Sequence, residues 1–100
     1  MEEGCEEIVA EVVGVCPWMT EEDAGLVRLV ISSHLRLVRG EVVDMGAMAG
    51  ALLGLAQRAE VVGDVRRAWV FDQLYAWVCA SMRGEEYHWP ELPQELAALP

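Results

Sequence analysis

Lysine and asparagine are absent from this 100-residue sequence, phenylalanine occurs once, and all seven bases are arginine. The missing residues are those of AT-rich codons, so the bias reads as GC-rich coding and carries no mechanism of its own. Bases as a class are scarce: seventeen acids oppose them, for a formal charge of −10. That balance opposes attraction to a phosphate backbone and disfavours direct nucleic-acid binding. Long apolar runs are missing too. The longest uncharged stretch, residues 45–57, is rich in glycine and too short to span a bilayer. Glu2, Glu3, Glu6 and Glu7 stand where a signal peptide needs a basic flank. The three cysteines, Cys5, Cys16 and Cys79, are odd in number and lack C-x-x-C spacing, which excludes an obvious redox or zinc motif. They read as buried, reduced thiols. These absences point to a cytoplasmic protein with no membrane segment, no metal and no cofactor.

What is present is a core. With 54% hydrophobic and 24% charged residues, the chain suits one compact domain and is too short for two. Its periodicity is helical throughout, and no strand pattern, internal repeat or low-complexity stretch competes. Cys5, Ile8, Val9, Val12, Val13 and Cys16 share one face of a first helix over residues 5–16, which Pro17 stops. Thr20 caps a second helix whose first turn carries Glu21, Glu22 and Asp23; it runs to Arg39, with Gly40 as a left-handed terminator. Its apolar side comprises Leu26, Val27, Val30, Ile31, His34, Leu37 and Val38. Asp44 caps a third helix over residues 45–62 that stops at Gly63. Asp64 caps a fourth that runs to Arg83 and stops at Gly84. The spacing predicts an all-α fold: a small antiparallel bundle of three main helices plus the N-terminal helix over residues 1–84. An acidic tail over 85–100 follows, with Pro90, Pro93 and at most a helical turn near Gln94.

Several features are candidates for function. Gly46, Gly50 and Gly54 recur every four residues, and each helix-interior glycine costs about 1 kcal/mol relative to alanine. Packing must offset that, either in a crossing with the aromatic fourth helix or in a symmetric helix pair between subunits. Trp69 and Trp77 belong to that fourth helix, whose apolar residues cover most of its circumference, so other helices or a second subunit must surround it. Arg28, Ser32, Arg36 and Arg39 form a stripe on the second helix. It is either a solvated face pairing with the Glu-rich first helix or a docking patch for a carboxylate or phosphate. Arg66 and Arg67 stand in the first turn of the fourth helix, where the dipole disfavours positive charge, so each requires a partner. His34 points to the apolar side and reads as a core residue with one hydrogen-bond partner. Asp72 reads as partly buried, with a raised pKa and a salt bridge to an arginine. Tyr87, Trp89 and Leu92 either pack the tail on the bundle or bind something else.

Nothing recommends catalysis: there is no G-x-S-x-G, P-loop or H-E-x-x-H. A nucleophile built from Cys79 and His34 has no advantage over many other pairs. The run Trp18, Met19, Thr20, Glu21, Glu22, Asp23, Ala24, Gly25, Leu26, Val27 resembles the start of the central helical region in small terminase subunits of phages. The resemblance covers residues 18–62. It implies a ring-forming helical protein that recruits a packaging motor to viral DNA. This chain has neither a helix-turn-helix nor a basic arm, so self-assembly is the property carried over. The function expected is thus non-enzymatic: a homo-oligomer or protein-binding factor of viral packaging or assembly type. Two alternatives are an acidic inhibitor that imitates nucleic acid and a small enzyme with an unrecognised pocket. The charge is unevenly laid out, at −8 over residues 1–23, +2 over 24–84 and −4 over 85–100. The acidic ends either fold back on the arginine stripe or face a partner.

Overall fold

A computed structural model describes residues 3–16 and 18–99, with side chains for 7–12, 16 and 18–99. Pro17 and the side chains of Cys5 and Val13, assigned above to a helix stop and an apolar face, lie outside the described residues. The described residues form helices and no strand: α1 (Glu3–Val15), α2 (Glu21–Val38), α3 (Met45–Val61), α4 (Val65–Met82) and a single turn, α5 (Gln94–Ala97).

Local chemistry sets the ends of these helices. Thr20 Oγ1 accepts the Asp23 amide at 3.1 Å, Asp44 Oδ1 the Ala47 amide at 3.0 Å, and Asp64 Oδ1 the Arg67 amide at 3.2 Å. Each such cap is worth about 1 kcal/mol. The three C-termini share one design. Gly40, Gly63 and Gly84 have φ of 87°, 78° and 70°, a region closed to most side chains. The residue after each glycine donates its amide to the carbonyl five residues back: Glu41 to Arg36, Asp64 to Ala59 and Glu85 to Ala80. Asp64 therefore finishes the turn that ends α3 and caps α4, and this brief connection joins two helices that pack together.

That pair forms the largest interface; α2 also packs on α4, and α1 on α2. The centre is α4, which buries Val70, Phe71, Leu74 and Val78 against Val27, Val30 and Ile31 of α2 and Leu52 of α3. Full burial of such side chains is worth about 1.5–3 kcal/mol each, the main force holding the helices together. Two expectations about helix faces need correction. Val38, placed on the apolar side of α2, is 70% exposed, because the chain turns away at Gly40 and no described element covers it. The crossing of α3 with α4 does not use the glycines. The buried face of α3 is Met45, Ala49, Leu52, Ala56 and Ala59, so alanine methyls meet the large side chains of α4.

Candidate functional site

Since alanines face the core, helical rotation turns the glycine stripe outward. A Cβ built on Gly50 or Gly54 meets nothing within 4 Å, and one on Gly46 meets only the side chain of Asp44, at 3.6 Å. The intrachain crossing expected of this stripe is absent from the described residues, and no close packing among them offsets the cost of its glycines. The outward face is uncharged over residues 45–57 and then meets exposed Arg58 before Val61 and Val62, 86% and 77% exposed. Beside it, a groove of about 310 Å³ runs between α2 and α3, walled by Leu26, Leu29, Ala47, Met48, Ala51 and Leu55. An exposed apolar patch of this kind, bounded by Asp44 and Arg58, is what contact surfaces of soluble proteins show.

The arginine stripe is exposed at Arg28, Arg36 and Arg39. Arg36 Nε donates to Glu41 Oε1 at 3.0 Å, and Arg39 Nη2 lies 3.3 Å from Glu41 Oε2. The hydrogen bond from Arg36 is the main reason the Glu41 carboxyl titrates below its usual range. Glu41 follows the left-handed turn at Gly40, so the C-terminal turn of α2 delivers the carboxylate to the stripe.

The arginines of α4 find partners inside the chain. Arg66 donates to the Leu99 carbonyl at 2.7 Å and lies over the ring of Trp18, 5.8 Å from its centroid. Arg67 donates to Asp23 Oδ1 at 3.0 Å and lies over the ring of Phe71 at 5.2 Å. Asp23 is only 1% exposed, so this pair ties the N-terminus of α2 to that of α4 through a buried carboxylate. From the sequence Asp23 is a first-turn partner of the α2 dipole, and its burial is a feature of the fold. The signal was there: Asp23 stands four residues before Val27, on the face that turns inward. Asp72, expected in that role, is exposed and has no ion pair among the described residues. Desolvation raises its pKa, and nearby Glu60 raises it further. The reason is rotational, since α4 turns Asp72 toward Glu60 of α3 and away from the arginines.

The tail lies on the bundle. Tyr87 stacks on buried Trp77 with ring centroids 5.3 Å apart, and Trp89 meets Trp77 at 6.3 Å and the edge of Trp69 at 5.8 Å. Tyr87 Oη donates to Gln73 Oε1 at 2.5 Å, an anchor that the sequence did not single out. Trp69 and Trp77 thus pack against Tyr87 and Trp89 of their own chain. His34, half-buried, shares a 2.7 Å hydrogen bond with Ser81 and meets the Trp77 ring at 6.5 Å. Between tail, α4 and α1 lies a groove of about 430 Å³, lined by Ile8, Glu11, Val12, Trp77, Tyr87, His88 and Trp89. Trp89 Nε1 is buried without a hydrogen-bond partner.

Among the described residues, no three His, Cys, Asp or Glu side chains gather as a metal site, and no helix is long and apolar enough to cross a membrane. Cys16 and Cys79 are free thiols, and burial pushes Cys16 up to about 11. Compared with family models, with curated proteins and with solved structures, the chain matches none.

Proposed function

We propose that this protein acts through protein contact rather than catalysis, in the cytoplasm, and that it self-associates through the outward face of α3. One observation carries the reading: an uncharged glycine- and alanine-rich helix face stays uncovered in a chain of charge −10. Glycine lets two helix backbones approach closely, and dispersion attraction between them offsets its cost in helix propensity. The same reading takes the layout as an antiparallel bundle of α2, α3 and α4 with α1 beside α2, which leaves α3 at one edge. From the likeness to small terminase subunits we carry forward self-association, with a packaging or assembly role as its most specific form. Light scattering and sedimentation across the micromolar range test the reading. A mass that rises with concentration is the expected result; a strict monomer throughout overturns it.

The exposed carboxylates of α1 and of the tail, among them Glu7, Glu11, Glu85, Glu86 and Glu91, favour a second reading. It is an acidic surface that occupies a partner's basic groove in place of nucleic acid. Such binding weakens steeply with salt, whereas an apolar α3 contact does not.

A further inference from the structure

The outward face of α3 carries a charged residue at each end, and the two are of opposite sign. At the N-terminal end Asp44 is exposed and is the one charged residue lining the groove between α2 and α3, beside Ala47 and Ala51. Its Oδ1 accepts the Ala47 amide, which fixes the carboxylate at the helix start. At the C-terminal end Arg58 is exposed among Gly54, Gln57, Val61 and Val62, and it has no ion pair among the described residues. Between these charges lie Ala47, Gly50, Ala51 and Gly54, in a stretch with no charged residue. Ala51 stands midway, seven residues from each charge, or about 10 Å at the helical rise. The face is therefore self-complementary in one orientation. When two copies lie antiparallel about Ala51, Asp44 of each reaches the level of Arg58 of the other, and small residues face small residues. A parallel pair sets Asp44 against Asp44 and Arg58 against Arg58, which repel.

We propose that α3 pairs antiparallel with α3 of a second copy of this chain, Asp44 of each joined to Arg58 of the other across a two-fold contact. The proposal rests on the reading of the chain as self-associating through α3, and it specifies the orientation and the residues that set it. Within one chain Asp44 and Arg58 are fourteen residues apart, about 21 Å along the helix. Exposed charges farther apart than the Debye length of about 8–10 Å are largely screened. Any coupling between these two in association therefore arises between copies.

Sedimentation velocity of the full chain, under reducing conditions and at one ionic strength near about 0.15 M, compares wild type with Asp44→Asn, Arg58→Glu and the double variant. Asparagine caps a helix as well as aspartate does, so Asp44→Asn removes charge and keeps the start of α3. Circular dichroism melting at a dilution where each variant is monomeric checks that all four fold. Copies of charge −10 repel one another, so loss of a carboxylate away from the contact strengthens association. The antiparallel pair reverses that sign. Asp44→Asn is expected to weaken association about three- to ten-fold, because two ion pairs are lost per dimer. Arg58→Glu weakens it further, since two carboxylates then meet at each end. In that background Asp44→Asn strengthens association, because it removes the new repulsion. An effect of Asp44→Asn in the same direction in both backgrounds, or in neither, overturns the antiparallel pairing; strengthening in both is the mark of a parallel pair or of diffuse repulsion. Gly50→Ala separates this failure from that of the α3 reading. Association weakened by Gly50→Ala without the reversal of sign refutes the orientation and leaves the α3 contact standing, whereas a wild type that stays monomeric overturns both.

Discussion

Replacing Gly50 by alanine tests whether the outward face of α3 is open in the monomer and occupied in an assembly. Gly50 lies mid-helix, its φ is not positive, and a Cβ there meets nothing within 4 Å. No contact is lost and no strain added, so only the helix-propensity gain remains, about 0.5–1 kcal/mol in favour of Gly50→Ala. For a domain of this size that gain raises the melting temperature by roughly 2–5 °C. Gly25→Ala is the matched control: Gly25 is exposed in α2, with nothing within 4 Å of its built Cβ, and it gains a similar amount. Both effects are read by circular dichroism in thermal and urea denaturation, at a dilution where light scattering shows monomer. Self-association should then separate the two variants. A methyl inserted into a close helix crossing costs about 1–3 kcal/mol, so Gly50→Ala weakens the assembly by roughly five-fold or more, and Gly25→Ala leaves it unchanged. A lower melting temperature for Gly50→Ala at dilution refutes the open face. Equal association of the two variants refutes its role in contact.

Arg67→Met leaves the buried Asp23 carboxylate without its cation and is expected to destabilise the fold by about 2–3 kcal/mol, with Asp23→Asn in the same background recovering part of the loss; urea denaturation of the single and double variants checks this. The raised pKa of Asp72 means that the folded state binds its proton more tightly than the unfolded state. Stability assigned to this residue therefore falls as pH rises through the carboxylate range, and Asp72→Asn removes that component, as melting curves between about pH 3.5 and 6 would show by a flatter profile. A steeper decline in the variant contradicts the assignment. Cys16, fully buried and with its thiol pushed up to about 11, is expected to resist iodoacetamide at pH 8 until denaturant is added; mass spectrometry of alkylated native protein finding Cys16 labelled would count against its burial.

Sequence and structure agree within each helix and part where helices meet. Helix ends were legible because each depends on a few neighbouring residues. Thr20, Asp44 and Asp64 cap, Gly40, Gly63 and Gly84 terminate, and none of these contacts waits on another element. His34 was legible as a core residue with one partner because helical spacing puts it in line with Val30. That its partner is Ser81 depends on how α2 and α4 meet. The glycine stripe shows the limit most clearly. Spacing alone identified a face with small residues, and rotation of α3 by its alanine contacts with α4 turned that face outward. Asp23 and Asp72 exchanged roles for a similar reason, since which carboxylate meets an arginine depends on the relative rotation of two helices.

By itself the sequence determined the all-α class, the positions at which the helices start and stop and the uneven layout of charge. These follow from interactions within a turn or two of chain, where a residue's neighbours are already known. Only the tertiary structure decided which helix face is covered, that Asp23 is the buried carboxylate, that Tyr87 and Trp89 pack the tail against Trp77, and that a groove opens between the tail and α1. Helix periodicity gives every α-helix an apolar face but does not say which of two such faces meets a neighbour. In α3, where alanine and glycine stripes share the uncharged stretch of residues 45–57, that choice belongs to the volume of the side chains opposite.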